Sequence, residues 1–134
     1  MDYTQFRYVL YARKSTEDDS RQVRSVPDQI ADCKALAQEL GLNVVKIVRD
    51  KKSAKKPGNR ARFTDMLNDI SAGKYDAILS WHPDRLCRNM LEGGRIIDML
   101  DNGELKDLKL CSHNFSNDAN GKMLLGMLFV FSKQ

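Results

Sequence analysis

Three stretches of this chain carry side chains with reactive or charge-bearing ends. Tyr11-Ala12-Arg13-Lys14-Ser15 sets a hydroxyl two residues from a guanidinium, and His82-Pro83-Asp84-Arg85-Leu86-Cys87-Arg88 interleaves an acid with two arginines. Residues 46–62 hold eight basic side chains against a single acid, Asp50. A serine hydroxyl is a poor nucleophile at neutral pH unless a base or nearby positive charge lowers its pKa. Arginine stays protonated and is no conventional base, but its planar fork grips phosphate oxygens two at a time. One serine among several arginines therefore suits attack on a phosphodiester, whose equatorial oxygens carry the charge to be stabilised. It suits peptide hydrolysis badly, because no histidine stands beside Ser15 in a recognisable triad motif.

Each of these residues also has an ordinary reading. Ser15 could cap a helix or turn, and Arg85 and Arg88 could make surface salt bridges. Asp50 and Asp84 could be ligands of a metal-dependent nuclease, although two-metal sites want more converging acids and both residues have a basic neighbour. A phosphate- or nucleotide-binding module without catalysis is a further alternative. Asp84 reads as an arginine's orienting partner, as the group handling the leaving-group proton, or as a plain salt-bridge acid. His82 and His113 qualify for acid–base work on residue type alone, and His82 is read as structural or peripheral. Cys33, at helical spacing, and Cys111, in a strand, read as small apolar core residues, and Trp81 as core.

The elements that must position this set alternate along the chain. Apolar β-formers at residues 8–11, 43–48, 75–81 and 108–111 predict four strands. Residues 30–40 have helical spacing, preceded by Ser25-Val26-Pro27-Asp28 as a capping segment and closed by Gly41. Residues 63–70 and 89–100 predict two more helices ending at Gly73 and Gly103, and a fourth begins near Gly121. Such alternation predicts an α/β fold with a mostly parallel central sheet flanked by helices. Functional groups of these sheets gather beyond the carboxyl ends of the strands, which is where the three stretches fall.

The two motifs, Tyr11-Ala12-Arg13-Lys14-Ser15 and Asp84-Arg85-Leu86-Cys87-Arg88, together resemble the catalytic domain of the serine recombinases, the resolvase and invertase family. That family has Tyr-x-Arg-x-Ser at the end of its first strand and Asp-Arg-Leu-x-Arg after a later one. The resemblance runs from about Tyr8 to the end of the chain. It implies that Ser15 is the nucleophile, forming a 5′-phosphoserine link and releasing a 3′-hydroxyl, with neither ATP nor metal as cofactor. It implies that Arg13, Arg85 and Arg88 surround the scissile phosphate, joined by Arg60 or by its neighbour Arg62. Asp84 matches the motif acid, Asp50 the acid after the second strand, Gln29 the glutamine early in the first helix, and Tyr11 the motif tyrosine. The acid-rich stretch between Ser15 and Gln29 is longer than in small resolvases and leans towards large serine recombinases and transposases. Cys87 stands where the family often has glycine or serine.

The 134 residues suffice for one core, and 42% hydrophobic with 30% charged residues is the balance of a soluble globular domain. Three scattered cysteines without a Cys-x-x-Cys pair argue against a disulfide framework or zinc site and for a cytoplasmic setting. No stretch is long and apolar enough to span a membrane. The net charge of +4 hides a local +7 over residues 46–62, a footprint for DNA phosphates to which Lys51, Lys52, Lys55, Lys56 and Arg62 would contribute. Residues 123–131 are apolar on every side. We expect a catalytic domain over residues 1–120 and, over 121–134, the start of an oligomerisation helix leading to a DNA-binding region beyond the chain. The family implies a homo-oligomer, dimer to tetramer.

Overall fold

The computed structural model describes residues 5–14, 25–50, 61–87, 89–112, 121, 123, 125 and 126. Four strands, β1 (Arg7–Arg13), β2 (Asn43–Asp50), β3 (Ala77–Ser80) and β4 (Asp107–Leu110), alternate with helices α1 (Val26–Leu40), α2 (Ala61–Ser71), α3 (Pro83–Leu86) and α4 (Met90–Asn102). All four strands are parallel, in the order β2-β1-β3-β4. The expected α/β architecture is what the chain adopts.

Local chemistry sets the helix limits. The Ser25 hydroxyl accepts the Asp28 amide at 3.2 Å, Pro27 sits in the first turn, and Gly41 closes α1 in the left-handed region at φ 73°. The Asn89 side chain caps α4 by accepting the Glu92 amide at 3.0 Å. β1 is covered on both faces, so its run from Tyr8 to Ala12 is hydrophobic without alternation. Tyr8, Leu10 and Ala12 point towards Ile30, Cys33 and Ala37 of α1. Val9 and Tyr11 point the other way, into a core with Phe63, Met66, Leu67 and Ile70 of α2 and Ile96, Met99 and Leu100 of α4. β2 lies at the sheet edge, and Val45, Lys46 and Arg49 stay exposed there.

The element ends differ from the sequence expectations in ways that matter for the site. β1 runs on to Arg13 and β2 to Asp50 because the two strands stay in register to that pair. β3 is shorter than residues 75–81: Asp76 is held before it by Arg7, whose Nε donates to Oδ2 at 2.9 Å, and Trp81 leaves the sheet ahead of α3. Cys111 lies just past β4 and is half-buried, and Trp81 is likewise only partly covered. The short α3 has no counterpart in the sequence reading. Of the helix expected from Gly121, residues 121, 123, 125 and 126 are helical, with Leu125 buried in the α2–α4 core; the rest lies outside the described residues.

Leu67 is fully buried in that core, so Leu67→Ala should lower the unfolding free energy by about 2–5 kcal/mol, measured by urea titration.

Candidate active site

The carboxyl end of β1 is where the fold converges. β3 pairs with β1 only as far as Tyr11↔Ser80, whereas β2 continues to Arg13↔Asp50, and the Lys14 amide adds a bond to the Asp50 carbonyl at 3.0 Å. On its β3 side Arg13 therefore has a backbone N–H and C=O with no strand to meet them. Gln29, fully buried on α1, supplies both partners. Its Oε1 accepts the Arg13 amide at 3.3 Å and its Nε2 donates to the Arg13 carbonyl at 2.9 Å. Two residues back along β1, the Ser80 hydroxyl donates to the Tyr11 carbonyl at 3.0 Å. The strand that leads to Ser15 is thus fixed to its last residue.

Two acids stand beside this end in different settings. Asp50 is buried, and its Oδ2 accepts the Tyr11 hydroxyl at 2.9 Å; the Tyr11 ring packs edge-on against Phe63 at 5.6 Å. Asp84 is more open and lies within α3. Its backbone carbonyl accepts from Arg13 Nη2, and its Oδ1 pairs with Arg85 Nη1 at 3.2 Å and with His82 Nδ1 at 2.8 Å. His82 Nδ1 also caps α3, accepting the Asp84 amide at 3.2 Å. Burial pushes the Asp84 carboxyl up, but hydrogen bonding and charge from His82, with Arg85 and Arg13 behind them, outweigh it and leave the group below the ordinary carboxylate range.

Arg13 and Arg85 are both buried cations, 4% and 9% exposed. Arg85 lies 6.0 Å over the Trp81 ring, and its Nε has no hydrogen-bond partner among the described residues. A buried guanidinium with an unused N–H beside a second guanidinium is a receptor for an anionic oxygen.

Tyr11, Arg13, Gln29, Asp50, Asp84 and Arg85 thus come together at one sheet edge. Ser15, Arg60 and Arg88, and the lysines Lys51, Lys52, Lys55 and Lys56, lie outside the described residues, as does His113. Arg62 is not in this group. It donates from Nη1 to the Arg49 carbonyl at 2.7 Å and lines a groove of about 280 Å³ between β2 and α2 with Lys46, Asp65, Asp69 and Tyr75. His82 has a structural part, capping α3 just before Pro83 and Asp84. Among the described residues no three His, Cys, Asp or Glu side chains form a metal-ligating group, and no helix is long and apolar enough to cross a membrane.

The family model described as the resolvase N-terminal domain matches residues 8–134. The chain belongs to that family, and its class is that of the site-specific DNA recombinases, enzymes built on the serine recombinase catalytic domain. The fold is similar to the N-terminal catalytic domain of TP901-1 integrase (22% identity, 91% of this chain and 90% of that one, TM-score 0.73). It is similar too to a resolvase family site-specific recombinase from Streptococcus pneumoniae (22%, 92% and 85%, TM-score 0.71). The C-terminal catalytic domain of ISC1926 TnpA, an IS607-like serine recombinase, shares it at 19% identity, with 90% and 78% covered and a TM-score of 0.58. No curated protein matches the chain.

Two outcomes follow from the geometry. Gln29→Leu strands two buried backbone groups and should cost about 2–4 kcal/mol of stability in chemical unfolding. The depressed Asp84 carboxyl stabilises the fold above the ordinary aspartate range near pH 4, and that contribution is lost as pH falls through its lower folded value. Carboxyl-carbon NMR titration should therefore show the Asp84 midpoint moving up in His82→Ala.

Proposed function

We propose that the chain cuts and rejoins DNA strands through Ser15, in a reaction that conserves bond energy. The Ser15 oxygen attacks phosphorus, the P–O3′ bond breaks, and the DNA 5′ end is left on the serine as a phosphodiester. The serine proton departs and the 3′ oxygen gains one, so the products are a 5′-phosphoserine link and a free 3′-hydroxyl. Attack by that hydroxyl on a new partner reverses the step, which is why no ATP is consumed. The two buried guanidinium groups of Arg13 and Arg85, meeting at the partly exposed Asp84 near the end of β1, are the observation that supports this reading most. The strand that carries Arg13 runs on towards Ser15, and two guanidinium groups outnumber the one carboxylate between them. Their excess charge suits the equatorial oxygens of the transition state.

Arg60 and Arg88 complete the cationic set on the strength of the motifs. Asp84, held below the ordinary carboxylate range, is ionised at neutral pH; its carboxylate orients Arg85 and its main-chain carbonyl orients Arg13, and it does not act as proton donor. Asp50 and Tyr11 hold one another and brace the strand end. Both acids are engaged by protein donors, which supports metal-independent chemistry. DNA is the substrate, with Lys51, Lys52, Lys55, Lys56 and Arg62 contributing backbone contacts. Subunits act as dimers and tetramers, the helix beginning at Gly121 forming part of the interface, and sequence recognition lies in a further region.

The test is incubation of the full-length protein, in chelator, with DNA from the flanks of its own gene. A denaturant-resistant protein–DNA species linked at Ser15 is expected, absent in Ser15→Ala; cleavage that survives that substitution overturns the reading. Arg85→Ala should reduce formation of the linked species by about 10²–10³-fold, the cost of removing one oxyanion donor, while the urea midpoint shows the fold retained.

A further inference from the structure

Cys33 and Cys111 lie 78 residues apart in the chain, yet their sulfurs are 3.6 Å apart across the α1 face of the sheet. Cys33 sits in the middle of α1, fully buried among Ile30, Ala37 and Leu10. Cys111 follows β4 at the carboxyl edge and is half-buried. We propose that these two thiols form an oxidation site that takes a hydroperoxide as its two-electron oxidant and closes to a disulfide between α1 and the end of β4. The proposal does not rest on the DNA reading.

The two sulfurs have different parts to play because their settings differ. Only Cys111 is open enough to meet an oxidant. The Cys33 thiol supports a thiolate on Cys111, drawing the Cys111 thiol below its ordinary value despite partial burial and the charge of Asp32. Cys33 itself, facing Cys111 and buried, is pushed up and keeps its proton. The Cys111 thiolate therefore attacks the peroxide oxygen, giving a sulfenic acid and hydroxide. The hydroxide released there takes the Cys33 proton, the Cys33 thiolate attacks the sulfenic sulfur, and the S–S bond forms as the sulfenic hydroxide leaves and takes up the proton that Cys111 gave up at the start. In sum, two thiols and one hydrogen peroxide give one disulfide and two waters. Closing the pair to bonding distance requires roughly 1.5 Å of approach. Cys87 is no competitor, since it is buried in the core on the opposite face of the sheet.

The bond would tie down the helix that carries Gln29, one turn before Cys33, against an edge whose Cys111 amide donates to the Ser80 carbonyl at 3.1 Å. Hydrogen peroxide treatment of the 134-residue chain, then alkylation under denaturing conditions and peptide mapping, reads the outcome directly. Of the three thiols, Cys87 alone should remain alkylable, with a linked peptide pair joining Cys33 to Cys111 that a dithiol reductant separates. Cys33→Ala should instead accumulate a dimedone-trapped sulfenic acid at Cys111, and Cys111→Ser should leave Cys33 reduced. The proposal is overturned if wild-type Cys111 goes on to sulfinic acid with Cys33 still alkylable. It is equally overturned if Cys33 oxidises as fast in Cys111→Ser as in the wild type, or if no thiol is lost.

Discussion

A parallel sheet whose central strand outlasts one neighbour must find partners for the backbone groups left over, and at the end of β1 that obligation falls on one side chain. The Gln29 carboxamide presents an acceptor and a donor side by side, matching the N–H and C=O that Arg13 directs away from β2. Leaving two buried backbone groups unpaired would be costly. With the clasp made, the strand stays regular to Arg13 and its guanidinium has a fixed origin. The short α3 follows β3 directly, so the Asp84 carbonyl is delivered to the place where Arg13 reaches across. Helix, strand end and the origin of the Arg13 side chain are thereby tied by one pair of hydrogen bonds.

The electrostatics build on that frame. A cation withdrawn from water needs an anion or an acceptor close by. Arg13 takes a main-chain carbonyl, Arg85 takes the Asp84 carboxylate, and His82 supports the same carboxylate from its other side. One carboxylate against two guanidinium groups leaves an excess of positive charge, at the edge where a parallel sheet with this strand order opens its crevice. Asp50, bound to the Tyr11 hydroxyl, is committed elsewhere. The separation of the two acids into a bracing one and an orienting one comes from burial and partner choice, since the residue type is identical.

Much of this was legible in the chain itself. The alternating apolar runs, the capping segment Ser25-Val26-Pro27-Asp28 and the stops at Gly41 and Gly103 are local signals, and the helices and strands they mark are present. What local pattern could not set were the ends that depend on pairing. β1 and β2 extend each other to Arg13 and Asp50 through register, while β3 is cut short by Asp76 turning to Arg7 and by α3 starting at Pro83. Gln29 was reachable only through the family resemblance, because its role is to complete a strand far away in sequence. His82 looked peripheral because its carboxylate contact depends on the turn that α3 makes. Arg62 belongs by spacing to the basic run, yet its side chain turns to the Arg49 carbonyl in the β2–α2 groove.

In the proposed function, the buried arginines at the end of β1 receive the phosphate on which Ser15 acts. Determining where the scissile phosphate sits in a complex of the Ser15→Ala protein with its DNA tests that most directly. A phosphate oxygen is expected within hydrogen-bonding distance of Arg85 Nε and Arg13, next to position 15. A phosphate bound instead in the β2–α2 groove beside Arg62, with no oxygen near Arg13 or Arg85, would contradict it.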